Sequence, residues 1–102
     1  MTNYQVVQAF WTNSDKPCHS RSLSYKDGKL LSYDTCILQR VNGMVFGNYT
    51  QYSSTTSRHQ SQARIYDADK ILYGVPVGTS SLLFFAEIER DRLDDMIKKA
   101  LS

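Results

Sequence analysis

The dipeptide Asn42-Gly43 constrains this chain more than any other feature, because it sits between two runs of strand-forming residues, Thr35–Val41 and Met44–Tyr49. A two-residue hairpin loop needs positive φ at both central positions, and Asn followed by Gly meets that demand at the lowest steric cost. The spacing therefore predicts two adjacent antiparallel strands. Asp27-Gly28, inside Tyr25–Leu31, repeats the signal and predicts a second tight hairpin. Ile37, Val41, Val45 or Phe46, and Tyr49 supply the apolar positions, while the pattern alone leaves the two central registers open.

Around this ribbon the reading is less local. Tyr4–Trp11 mixes alternation with β-branched and aromatic residues and is expected to be a first strand with Val6 or Val7 in the core, ending at Thr12–Asp15 before Pro17. A loop is expected through Ser24. Tyr52–Gln60 is a hydroxyl-rich run with little apolar area to bury. Within it, Ser57-Arg-His-Gln60 has the form of a capping box, predicting a short helix from about Arg58 to Tyr66 or Ala68, with Ala63 and Tyr66 on the face of His59. Ile71–Tyr73 extends that helix or forms another strand, and Gly74–Gly78, with Pro76, closes it. Thr79 or Ser81 is placed to cap a last helix whose apolar stripe runs through Leu82, Phe85, Ile88 or Glu89, Leu93, Met96, Ile97, Ala100 and Leu101. The expected fold is a single α+β domain over residues 1–102: an antiparallel sheet of four or five strands, a C-terminal helix packed on one face, and a short helix after the Ser/Thr-rich segment.

Several function classes recede at this level. No run approaches the roughly 20 apolar residues that span a bilayer, and Met1–Tyr4 lacks the basic region of a secretory signal, so the expected setting is cytoplasmic, without membrane association. Cys18 and Cys36 are then expected to be thiols. No second metal-like pair accompanies them, so neither a metal nor a cofactor is expected. The formal net charge is only +2, but residues 1–64 carry seven basic side chains against three aspartates, a surplus able to face a polyanion or simply to solvate a surface. The acidic group Asp91, Asp94 and Asp95 lies among Arg90, Arg92, Lys98 and Lys99, as on an exposed helix face.

Ser32-Tyr33-Asp34-Thr35, followed downstream by Tyr52-Ser53-Ser54-Thr55-Thr56-Ser57-Arg58-His59-Gln60, resembles a family of small uncharacterised domains encoded by phages and mobile elements. The resemblance covers about the middle third of the chain, at Ser32, Tyr33, Thr35, Tyr52, Ser53, Thr55, Thr56, Ser57, His59 and Gln60. It implies viral or mobile-element origin, and hence the cytoplasm of a host cell, and it implies no chemical activity. The residues themselves allow two readings. In one, Tyr52, Thr55, Thr56, Ser57, Arg58, His59 and Gln60 form a polar recognition edge at a helix start. In the other, the hydroxyls satisfy a strand-to-helix connection and His59 packs over its apolar edge.

Catalysis is disfavoured: Ser57 and His59 are too close in sequence to imply that they face each other, no third group is identifiable to orient the imidazole, and Cys36 has no defined histidine partner in His19 or His59. Seven tyrosines against one tryptophan point to a contact surface. The expected function is therefore non-enzymatic: binding of a host or viral protein, as an inhibitor or adaptor, around Tyr52 to Gln60. The alternative is nucleic-acid binding through Arg40, Tyr49, Arg58 and Arg64, which would combine phosphate contacts with stacking. Oligomeric state, including a homo-oligomer, is left open.

Overall fold

The computed structural model describes residues 1–85. Among them the elements run α1 (Asn3–Trp11), β1 (Cys18–His19), β2 (Leu23–Lys26), β3 (Lys29–Ser32), β4 (Thr35–Val41), β5 (Met44–Asn48), α2 (Ser54–Gln62), a single 3-10 turn at Ile65–Asp67, and β6 (Lys70–Leu72). The six strands lie side by side in chain order. The fold is α+β, with one strand more than expected and a mixed rather than purely antiparallel sheet. The first five strands pair antiparallel, whereas β6 runs parallel to β5. A hairpin must reverse direction, but the long connection carrying α2 lets the chain re-enter in the same direction.

Both expected hairpins form. Asp27 and Gly28 have φ of +53° and +72°, Asn42 and Gly43 of +51° and +81°, and the flanking pairs Lys26 with Lys29 and Val41 with Met44 close the two ladders. The sequence reading missed a third reversal, at Tyr33-Asp34, because it carries no glycine. Tyr33 itself takes the left-handed conformation, at φ +55°. The central register is set by a bulge: Leu31 pairs with Cys36 and Leu30 with Leu38, leaving Ile37 as the extra residue. Ile37 and Leu38 consequently both join the same hydrophobic cluster, which strict alternation would forbid.

The expected first strand is a helix. Thr2 caps α1 by accepting from the Gln5 amide while the Gln5 side chain accepts from the Thr2 amide, a reciprocal pair that settles the start. Val6, Val7 and Phe10 are buried together. In a strand, Val6 and Val7 would point to opposite faces, whereas in a helix Phe10 lies four residues from Val6 and three from Val7, so it shares a face with each and all three border one stripe. That stripe packs with Leu23, Tyr25, Leu30, Ile37, Leu38, Val45, Ala63 and Ile65. A second cluster, Cys36, Phe46, Leu72, Val75 and Leu82, takes in Leu31, Val41 and Phe85 at its margin.

The second helix also departs from expectation. It starts earlier, with Ser53 as cap accepting from the Thr56 amide, and Ser57 is a helical residue whose amide donates to the Ser53 carbonyl at 3.0 Å. The helix stops at Ala63 because Arg64 adopts φ +57°. Tyr66 therefore falls in the 3-10 turn, exposed, and does not share the face of His59. Ile71 resolves as strand, in β6. Of the expected C-terminal helix, residues 83–85 are helical and Leu82 is fully buried. The remainder of its apolar stripe lies outside the described residues.

Candidate functional site

The Ser/Thr-rich segment divides between the two sides of α2. Thr56, His59 and Gln60 are buried, Ser57 and Tyr52 are half-buried, and Thr55 and Arg58 are exposed. As an accessible edge, the expected seven-residue site therefore needs correction at Thr56 and His59, which are buried, and at Gln60, which keeps only a small part of its side chain at the cleft wall.

His59 is only 3% exposed, and both ring nitrogens are engaged: Nδ1 lies 2.6 Å from Ser32 Oγ and Nε2 lies 3.1 Å from Ser22 Oγ. A buried neutral imidazole needs both partners, since an unmatched nitrogen would carry the full cost of desolvation. Burial, reinforced by neighbouring Arg58, pushes its pKa below the ordinary 6.5. The Tyr33 ring lies 5.9 Å away. The imidazole does have a group that orients it, and that group is Ser32, not a neighbour in sequence; Ser57 plays no part in these bonds. The hydroxyl–imidazole–hydroxyl chain contains no carboxylate, and Ser32 is 1% exposed, so the arrangement fastens α2 onto the β2–β3 hairpin. Sequence reasoning missed Ser22 altogether. Ser32 and His59 were both visible as parts of one resemblance, but not as a bonded pair.

Gln60 does comparable work one step along the helix. Its amide nitrogen donates to the carbonyls of Asn48 at 2.8 Å and Thr50 at 3.0 Å, which the chain exposes as it leaves β5. This use of the amide, rather than a reach back toward a cap at Ser57, is what the structure assigns to Gln60. Asn48 extends the network by donating to the Cys36 carbonyl and to the Tyr52 hydroxyl, and Tyr52 donates in turn to the Val75 carbonyl. Tyr52 is thereby a brace between β5 and the segment after β6.

Beyond this buried network lies a cleft of about 480 Å³ lined by Tyr49, Gln51, Ser57, Gln60, Ser61 and Tyr73. No lining residue is charged. Tyr49 and Tyr73 are both exposed, with ring centroids 6.4 Å apart and planes inclined by 58°. They are brought together because Tyr49 follows β5 and Tyr73 follows β6, its parallel neighbour, with the Tyr49 amide donating to the Leu72 carbonyl. Only three of these residues, Ser57, Gln60 and Tyr49, were expected to contact anything, and they were assigned to two different functions. Gln51, Ser61 and Tyr73 carried no signal beyond tyrosine enrichment.

The residues of the nucleic-acid alternative do not converge on this cleft. Arg40 lies over Phe10, 4.9 Å from the ring centre, and donates to the Phe10 carbonyl and Asn13 Oδ1, each at 3.1 Å. Arg64 lies over Trp11 at 5.4 Å. Both guanidinium groups thus pack on the end of α1, Arg58 is exposed on α2, and Tyr49 stands at the cleft rim. Among the described residues, no group of three or more His, Cys, Asp or Glu side chains is placed to hold a metal, and both cysteines are free. No family model, curated protein or solved structure matches the chain.

Proposed function

We propose that this domain is a non-enzymatic binding module that docks a protein partner on the outer side of α2 and the adjoining tyrosine-rimmed cleft. The observation that carries this reading is the pair of exposed rings, Tyr49 and Tyr73, standing over uncharged polar groups next to Ser57. Tyrosine buries a large apolar area at low side-chain entropy cost and keeps a hydroxyl for hydrogen bonding, so paired exposed tyrosines beside a concave surface favour protein contact. Thr55 and Arg58 extend the surface along the helix. The resemblance to phage and mobile-element domains makes a host or viral protein the partner class, with the domain acting as inhibitor or adaptor in the host cytoplasm.

Affinity capture with the wild type, the double variant Tyr49→Ala/Tyr73→Ala and a Tyr4→Ala control tests this. Tyr4 is as exposed as Tyr73 but belongs to α1. Loss of both rings is expected to weaken a specific complex by at least about tenfold, the scale of a binding hot spot, while the control binds as the wild type does. Equal retention by all three proteins contradicts the reading. Direct nucleic-acid binding is favoured less, since Arg40 and Arg64 lie against α1 aromatics rather than beside Tyr49. A saturable complex with single-stranded DNA or RNA that weakens steeply with salt would reverse that order.

A further inference from the structure

We propose that the cleft bordered by the Tyr49–Tyr73 ring pair receives an extended, uncharged, proline-containing segment of the partner, and that Gln60 Oε1 accepts a main-chain amide from it. The inference rests on the partner-binding reading and specifies what that surface takes.

Gln60 is 4% exposed, yet it lines the cleft. Its amide group is held by two backbone carbonyls, which fixes the rotamer and directs the nitrogen inward. Among the described residues no donor reaches Oε1, and no fully buried side-chain nitrogen or oxygen lacks a partner. The oxygen is therefore not sealed, and with the nitrogen held inward it is the polar end of Gln60 that we assign to the cleft wall, as a pre-oriented acceptor. Acceptors held in place this way add affinity without the entropy cost of ordering a side chain on binding.

The rest of the lining narrows the ligand. The absence of charge disfavours acidic or basic segments, which would lose hydration without gaining an ionic partner. Two inclined tyrosine rings offer apolar faces suited to a proline ring, and an extended polyproline II chain leaves its carbonyls free for hydroxyl and amide donors such as those of Ser57, Ser61 and Gln51. Proline has no amide hydrogen, so the donor to Gln60 Oε1 belongs to a non-proline residue beside it.

A random dodecapeptide library displayed on phage is panned against the whole protein and against Tyr49→Ala/Tyr73→Ala. The best wild-type-selected peptide is then titrated into isotopically labelled protein, with and without N-methylation at each non-proline amide in turn. The expected result is proline enrichment of several-fold in the wild-type pool and its loss in the variant pool. The Gln60 side-chain amide resonances shift on binding, and methylation at one amide weakens affinity about tenfold, the cost of leaving one acceptor unmatched. Binders that depend on both tyrosines but lack proline, or that leave Gln60 unmoved and tolerate methylation throughout, overturn this inference and keep the partner-binding surface. Binders indifferent to the tyrosines, or no binders, overturn both.

Discussion

His59 shows how one side chain's environment decides its role. An imidazole after a basic residue in a hydroxyl-rich run looks like an accessible functional group, but here Ser22 and Ser32 take both nitrogens and the ring is sealed. Its charge state then becomes a matter of stability. Because the folded pKa lies below the ordinary 6.5, the unfolded chain binds a proton at mildly acid pH that the folded chain refuses. The stabilisation from neutral His59 is thus complete above the unfolded value, begins to fall as pH drops through about 6.5, and is gone below the folded value. Urea unfolding at about pH 8 and about pH 5 should show a larger fall in midpoint for the wild type than for His59→Gln, which has no proton to gain. Equal falls in the two proteins would locate the acid sensitivity elsewhere.

At the scale of elements, two glycines illustrate different demands. Gly43 occupies the β4–β5 turn at φ +81° with nothing within 4 Å of an added Cβ, so only its backbone conformation matters. Gly47 sits within β5, where an added Cβ would lie 2.8 Å from Ile65 Cγ2 and 3.0 Å from Ala68 Cβ, so space matters there. Gly43→Ala is expected to cost about 1 kcal/mol, the penalty for an L-residue in the left-handed region. Gly47→Ala is expected to cost about 1–3 kcal/mol by overpacking and to loosen the 3-10 turn against the sheet. Denaturant melts give the two costs. Amide exchange should show faster opening of residues 65–68 in Gly47→Ala alone. The two glycine-marked hairpins were legible from sequence because turn dihedrals are a local property of a dipeptide. The helical state of α1 was not, since its residues suit either period and the choice follows from burying Val6, Val7 and Phe10 on one stripe.

The whole molecule depends on covering both faces of β4, whose first five residues are all buried. Cys36 reports on that double burial: its thiol lies in the second cluster, its Sγ donates to the Leu38 carbonyl, and burial pushes its pKa up to about 12. Cys18, at the short edge strand β1, is partly exposed. Native protein is expected to take up one equivalent of iodoacetamide, at Cys18, and a second only on unfolding. Mass spectrometry of the labelled peptides checks this. Rapid native labelling of Cys36 would mean that the cover over the second face opens readily. Leu82 belongs to that cover: it is fully buried, and its amide donates to Gln39 Oε1. Leu82→Ala is expected to destabilise the fold by about 2–5 kcal/mol and to speed Cys36 labelling, linking the two measurements.

What the sequence determined by itself was local: the Asp27-Gly28 and Asn42-Gly43 reversals, the presence of a helix in the Ser/Thr-rich region, and the α+β class. Tertiary structure decided which residues of that helix face inward. The carbonyls of Asn48 and Thr50 draw Gln60 toward the sheet, and the hydroxyls of Ser22 and Ser32 draw His59. It also decided that Tyr49 and Tyr73, far apart in the chain, stand together, because β6 enters parallel to β5. Turn dihedrals depend on a few adjacent residues, whereas the pairing of buried polar groups depends on partners supplied by distant segments only once the chain has folded.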